Sequence, residues 1–323
     1  MNARPTFSAT RRLLLAAPCA LLGCAGVPVS APPPPAAPGE VSLQPWRSVN
    51  GGFVAAPEPG LGMPVRPGTG PFAQLVAPTA VALVDQDLLV ADSGTQRLWR
   101  IDLMLGALVP QGGVAVSPTT ALALAPDRSA WVLDGMGGAL RHLARDGRVL
   151  QTFRPGADLA AASGIALADL GATVLLADAG LGQWLELRAG GGLALPVRPL
   201  SAEGRSIAVD AMAAGGSLLW VLDKRAGLVH RVDRGGRVLA SLGAGVLKQP
   251  VAIAADTRGR VWVLDGQDHR IVLLREGAPV QAFGASALRV RQPAAIAADE
   301  RGLAVADRLG GQVVLLRVQE ARP

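Results

Sequence analysis

Six short apolar runs along this chain each end in an aspartate. They read LLVAD to Asp92, WVLD to Asp134, LLAD to Asp178, WVLD to Asp223, WVLD to Asp265 and AVAD to Asp307. Successive aspartates lie 42, 44, 45, 42 and 42 residues apart. A period of about 40–45 residues holding several short strands is the spacing of β-propeller blades, in which each unit is a small sheet packed on its neighbours. The spacing therefore predicts an all-β chain with one blade per aspartate, six in total.

The fifth copy shows what one unit contains. Pro250 opens an apolar run from Val251 to Ala255, and the Thr257-Arg258-Gly259 turn leads into Val261–Leu264. Asp265 starts a loop to Ile271–Leu274, and Glu276-Gly277 turns into Val280–Phe283. Four short runs divided by Gly and Asp turns read as one four-stranded antiparallel sheet. The inner runs are apolar at nearly every position, as suits strands covered on both faces. The other copies open at Pro78, Pro118, Ser163, Arg205 and Pro293. The sixth runs out of chain after Val313–Val318, one strand short. Its missing outer strand is expected from the other terminus, between Val41 and Val76, with VSLQPWRSV the best candidate, because closing the ring removes an open sheet edge.

A proline-led inner strand, a V-x-D strand end and the Arg270-Ile271 strand start after His269 resemble the NHL-repeat family. The resemblance spans about Pro78 to Val318; the third and fourth copies lack the leading proline. It implies a six-bladed propeller and no particular activity, since family members include both binding modules and enzymes such as an amidating lyase.

The six aspartates suggest a ring of carboxylates, but an Asp at a strand end ordinarily bonds backbone N–H groups of the adjoining turn. A structural role is expected for all six. Trp131, Trp220 and Trp262, each three residues before its aspartate, are expected to fill space between blades.

The front of the chain reads as an address. Residues 1–23 carry Arg4, Arg11 and Arg12 and then LLLAAPCALLG, the form of an export signal. Leu21-Leu22-Gly23-Cys24 resembles a bacterial lipobox, which implies lipid attachment at Cys24 and, with Ala25 following, sorting to the periplasmic face of the outer membrane. Thr10-Arg11-Arg12 leaves Sec and twin-arginine export both open. Residues 24–40 form a proline-rich tether, at about 3.1 Å per residue where it is polyproline II, and 41–323 form the propeller. Cys19 leaves with the signal, so Cys24 is the sole cysteine of the mature chain. Removal of Arg4, Arg11 and Arg12 leaves 28 of the 31 basic residues against 25 acidic ones, a net charge of +3. In an exported chain this balance argues against a nucleic-acid partner.

Motifs for chemistry are few. The chain has three histidines, His142, His230 and His269, no tyrosine, and asparagine only at Asn2 and Asn50. His142 and His230 fall on third strands and His269 in a loop, so a three-histidine zinc site in the channel is not expected. No nucleophile elbow, phosphate loop or dinucleotide fingerprint occurs, and Asp85-Gln86-Asp87 reads as a hairpin turn. No catalytic residue, metal ligand or cofactor is assigned. The uneven feature is charge. Loops after the second strand and between blades share one face, and in the last three blades they carry Arg205, Lys224, Arg225, Lys248, Arg289, Arg291 and Arg308, with His269 among them. The turns of the opposite face, DQD, DRS, DTRG and DERG, are mixed in sign. The sequence thus points to a non-enzymatic binding or scaffolding platform for another envelope protein or an anionic polymer. The alternative is a propeller lyase or hydrolase with a site not visible as a motif.

Overall fold

Alternating apolar runs and tight turns fold into six small antiparallel sheets arranged as a six-bladed β-propeller in a computed structural model of the chain. The structure describes residues 40–55, 70–134, 138–154, 162–187, 196–197 and 206–320. The export signal, Cys24, most of the tether and Arg205 lie outside the described residues. Blade 1 is built on Pro78–Val84, Asp87–Asp92, Arg97–Asp102 and Ala107–Gln111. Blade 5 follows the sequence reading closely, with strands Pro250–Ala255, Val261–Asp265, Arg270–Leu274 and Gln281–Phe283.

The ring closes as expected. Val41–Val49 pairs antiparallel with Gln312–Glu320, from Val41 opposite Glu320 to Val49 opposite Val313, and becomes the outer strand of blade 6. The Gln281 side chain of blade 5 clasps the start of this strand, accepting the N–H of Val41 at 3.1 Å and donating to its carbonyl at 3.3 Å. The next stretch of chain does something the repeat did not announce. Gly51–Val54 pairs parallel to Ala107–Gln111 and antiparallel to Phe72–Gln74, so blade 1 grows to six strands.

Among the described residues there is no single core. Six separate apolar clusters each join one blade to the next, and the sixth joins blade 6 back to blade 1 through Ala304, Val313 and Leu315 against Val81 and Leu88. Burial on both faces explains why the second strands are apolar without alternation. Trp131, Trp220 and Trp262 sit in three of these seams, as their position before the aspartate implied.

Blade 4 departs from the expected register. Its repeat was expected to open at Arg205, but the first strand is Ala211–Gly215, and Asp210 donates its N–H to Leu222 O at 3.0 Å just before it. First strands of blades 1, 3, 5 and 6 skip one residue in their pairing, whereas blade 4 pairs continuously. Two successive small–large–small runs, Ser206-Ile207-Ala208 and Ala211-Met212-Ala213, offer the same local pattern. The contact that anchors the blade decides between them: Asp223 Oδ2 accepts the N–H of Ala208.

Candidate functional site

The first strands surround the axis, and their sequence sets what the channel offers. Val81, Leu122, Ile165, Met212, Ile253 and Ile296 occupy one register position, each opposite the residue two before its blade's aspartate. Alanine or glycine flanks every one of them on both sides. Small flanks let six strands approach the axis, while the large side chain of each is buried in a seam between blades. The resulting channel space is about 160 Å³; its side chains carry no ionisable group, and the surface it exposes is mostly backbone N–H and C=O.

The histidines are elsewhere. His142, on the third strand of blade 2, stacks on Trp131 with centroids 4.2 Å apart and planes 4° from parallel. His230, on the third strand of blade 4, shares a 2.8 Å hydrogen bond with Ser241 Oγ through Nδ1. Burial lowers the pKa of both below the ordinary value. His269 is exposed in the loop of blade 5 and takes a left-handed φ of 45°. Among the described residues no group of three His, Cys, Asp or Glu side chains is placed to hold a metal ion.

On the face where second strands end, the predicted basic residues are brought together only in part. Lys224 and Arg225 follow Asp223, Lys248 precedes Pro250, Arg289 and Arg291 precede Pro293, and Arg308 follows Asp307; all are exposed. Lys248 Nζ donates to the carbonyl of Gly245 at 3.2 Å. The side chains of Lys224, Arg225, Arg289, Arg291 and Arg308 make no ion pair with any described residue. Of the acidic groups nearby, Asp268 is engaged by Arg270 at 3.6 Å, and Asp210 accepts the N–H of Lys224 at 2.7 Å. The loops after the second strands of blades 1 and 3, Ser93-Gly94-Thr95-Gln96 and Ala179-Gly180-Leu181-Gly182, are uncharged, while the chain leaving blade 2 carries the exposed Arg154. Among the described residues, the cations of this face are therefore denser on blades 4 to 6.

The opposite face, whose turns are mixed in sign, is hollowed. Three hollows adjoin there, of about 330, 260 and 330 Å³, and Asp85 and Arg301 line all three. One is the channel mouth, bordered by Leu83, Leu124 and Leu167 of blades 1 to 3 and by Ala214, Ala255 and Ala298 of blades 4 to 6. At its edge burial raises the pKa of Asp299, against hydrogen bonds from the Arg301 and Gly302 N–H groups that favour its ionised form. The second hollow runs beside Trp46, Leu103 and Met104. The third is polar, with Asp87, Asp102, Arg128 and Arg145 around it. Residues 85 and 301 meet only because the ring closes blade 6 against blade 1, and no local sequence signal joins them.

Fold and site together define a six-bladed β-propeller with no ionisable side chain around its channel and two unlike faces. No protein-family model matches the chain, and no curated protein matches it in sequence. Solved structures of similar shape include virginiamycin B lyase from Staphylococcus aureus, at 12% identity and a TM-score of 0.55, covering 88% of this chain and 90% of that one. A protein of unknown function from Bacteroides thetaiotaomicron aligns at 12% identity with a TM-score of 0.62, over 87% of this chain and 77% of that one. Hydrazine synthase of Kuenenia stuttgartiensis gives 13% identity and a TM-score of 0.54, over 76% and 96%. At these identities the likeness is one of fold.

Proposed function

We propose that this chain is an exported lipoprotein of NHL-repeat type, anchored through Cys24 at the periplasmic face of the outer membrane, whose propeller is a binding platform. Its partner is another envelope protein or a polymer that presents anionic groups. The observation that carries this reading is the sector of unpaired cations on blades 4 to 6, because charges left without internal partners on a rigid face favour and steer a complementary surface. A stiff ring supports such work by holding several loops in fixed relation while its seams supply stability. The lyase among the similar folds keeps a lyase or hydrolase as the alternative; the lack of any ionisable or nucleophilic side chain around the channel supports binding over that alternative.

The test is crosslinking capture from native membranes using wild type, a Lys248→Glu/Arg289→Glu/Arg291→Glu variant and Cys24→Ala. The proposal expects one specific envelope partner with wild type, loss of that partner with the charge-reversed variant, and weaker capture with soluble Cys24→Ala. Capture unchanged by charge reversal would overturn it.

A further inference from the structure

The polar hollow on the face opposite the cationic sector has the make-up of a small-molecule site. Asp87, which lines it, forms a buried ion pair with Arg100, with Asp87 Oδ2 and Arg100 Nη1 3.3 Å apart. Both of these buried atoms lack a hydrogen-bond partner, although Arg100 is also held through Nη2, which donates to Arg128 O at 2.8 Å. A buried carboxylate and guanidinium that meet off hydrogen-bonding geometry leave polar capacity unfilled, which is costly in a site of low dielectric. Burial accordingly raises the Asp87 carboxyl, with Arg100, Arg145 and Arg128 partly opposing that shift.

Around this pair the charges are of both signs. Arg145 reaches to 3.9 Å of Asp87 Oδ2. Arg128 and Arg301 line the hollow with side chains that make no hydrogen bond or ion pair with described residues, and Asp85 stands beside them. An isolated anion would meet Asp85, Asp87 and Asp102, and an isolated cation would meet the arginines. A molecule carrying both charges a few ångströms apart satisfies both sets. The adjoining hollow, shared through Asp85 and Arg301, is walled by Trp46, Leu103 and Met104, with Met104 72% exposed.

We propose that these two hollows form one site for a zwitterion with an apolar tail, the chemistry of a free α-amino acid with an aliphatic side chain. Its ammonium lies towards Asp85 and Asp87, its carboxylate among Arg128, Arg145 and Arg301, and its side chain along Trp46 and Met104. The combined space of the two hollows, about 330 and 260 Å³, lies within the range of about 300–1,000 Å³ that holds small ligands. This site is independent of the cationic sector, so either proposal stands if the other fails.

The test is calorimetric titration of the full mature chain with L-leucine, N-acetyl-L-leucine, which lacks the ammonium, and L-leucinamide, which lacks the carboxylate. Leucine is expected to bind saturably, with each derivative weaker by at least about tenfold, the worth of one charge-assisted contact. Glycine is expected to bind more weakly than leucine, for want of the tail. Because Asp87→Asn would leave Arg100 buried without its partner, the variants are Arg145→Gln and Arg301→Gln, both exposed positions whose thermal melts verify folding. Each is expected to weaken leucine about tenfold. Absence of saturable leucine binding at millimolar concentration, equal binding of all three compounds, or wild-type affinity in both variants would each overturn the assignment.

Discussion

The N–H of Ala77 donates to Oδ1 of Asp92 at 2.8 Å across 15 residues of chain, and the N–H of Val76 donates to the other oxygen at 2.9 Å. The aspartate that ends the second strand thus holds the segment that leads into the first strand of its own blade. The same clasp recurs at Asp265 with Lys248 and Gln249, and at Asp307 with Arg291 and Gln292. Asp223 repeats it through Ala208. Asp92, Asp223 and Asp307 also cap their following loops, accepting the N–H groups of Gly94, Ala226 and Gly310. The repeating aspartate is therefore a staple between two loops on one face, a wider role than the turn cap expected from sequence.

Asp307→Ala removes the acceptor of three backbone N–H groups from a fully buried position. A loss of about 3 kcal/mol is expected, since buried donors left unpaired carry their desolvation cost. Asp146→Ala, which strips one hydrogen bond from the exposed turn at Arg148, is expected to cost less than about 1 kcal/mol. Urea denaturation of the two variants beside wild type measures the difference.

Closure by Val41–Val49 predicts a sharp boundary for truncation. Removal of residues 1–39 is expected to leave the melting temperature of the propeller unchanged within about 2 °C. Removal of residues 1–50 bares the Gln312–Glu320 edge and strips Val41 and Val49 from two seams, so lower stability and association through the open edge are expected. Gel filtration and a thermal melt of both truncations decide it.

Arg260 is 2% exposed and reaches three groups: Asp256 Oδ2 at 2.6 Å, Glu320 Oε1 at 2.9 Å and the Glu300 carbonyl at 3.3 Å. It also lies over the Trp262 ring, 5.7 Å from the centroid. This one side chain links blade 5 to blade 6. Arg260→Ala strands Asp256 in the interior and is expected to cost about 3–5 kcal/mol. Arg260→Lys is expected to recover less than half of that, because an ammonium cannot reproduce the planar fork. Denaturant midpoints of the two variants provide the comparison.

His230 and His142 give the fold a pH dependence of defined sign. Burial holds the pKa of each below the ordinary 6.5 of the unfolded chain. Below pH 6.5 the unfolded state takes up these protons first, so stability present above 6.5 falls as pH drops towards and through the folded pKa. His142→Gln/His230→Gln is expected to flatten the slope of stability between pH 7 and pH 5. A slope equal to that of wild type would remove these two groups as its source.

Much of the fold was legible because it is written locally and repeated. Apolar runs, Gly and Asp turns, the tryptophans before Asp134, Asp223 and Asp265, and a sixth repeat lacking its last strand determine six blades and a terminal strand to close them. Each of these features acts within a few residues of itself, which is the range over which periodicity and turn chemistry operate. The cationic residues of the last three blades could likewise be placed on one face from strand direction alone. The tertiary structure decided what depends on closure of the ring. It selected Ala211–Gly215 over the equally patterned stretch before it, because Asp223 anchors the chain at Ala208. It added Gly51–Val54 and Phe72–Gln74 to the edge of blade 1, where strand pairing is non-local. It also brought Arg301 of blade 6 beside Asp85 of blade 1, which border three hollows together. A repeat specifies each unit through short-range contacts, but which distant side chains meet is fixed only when the last blade packs against the first.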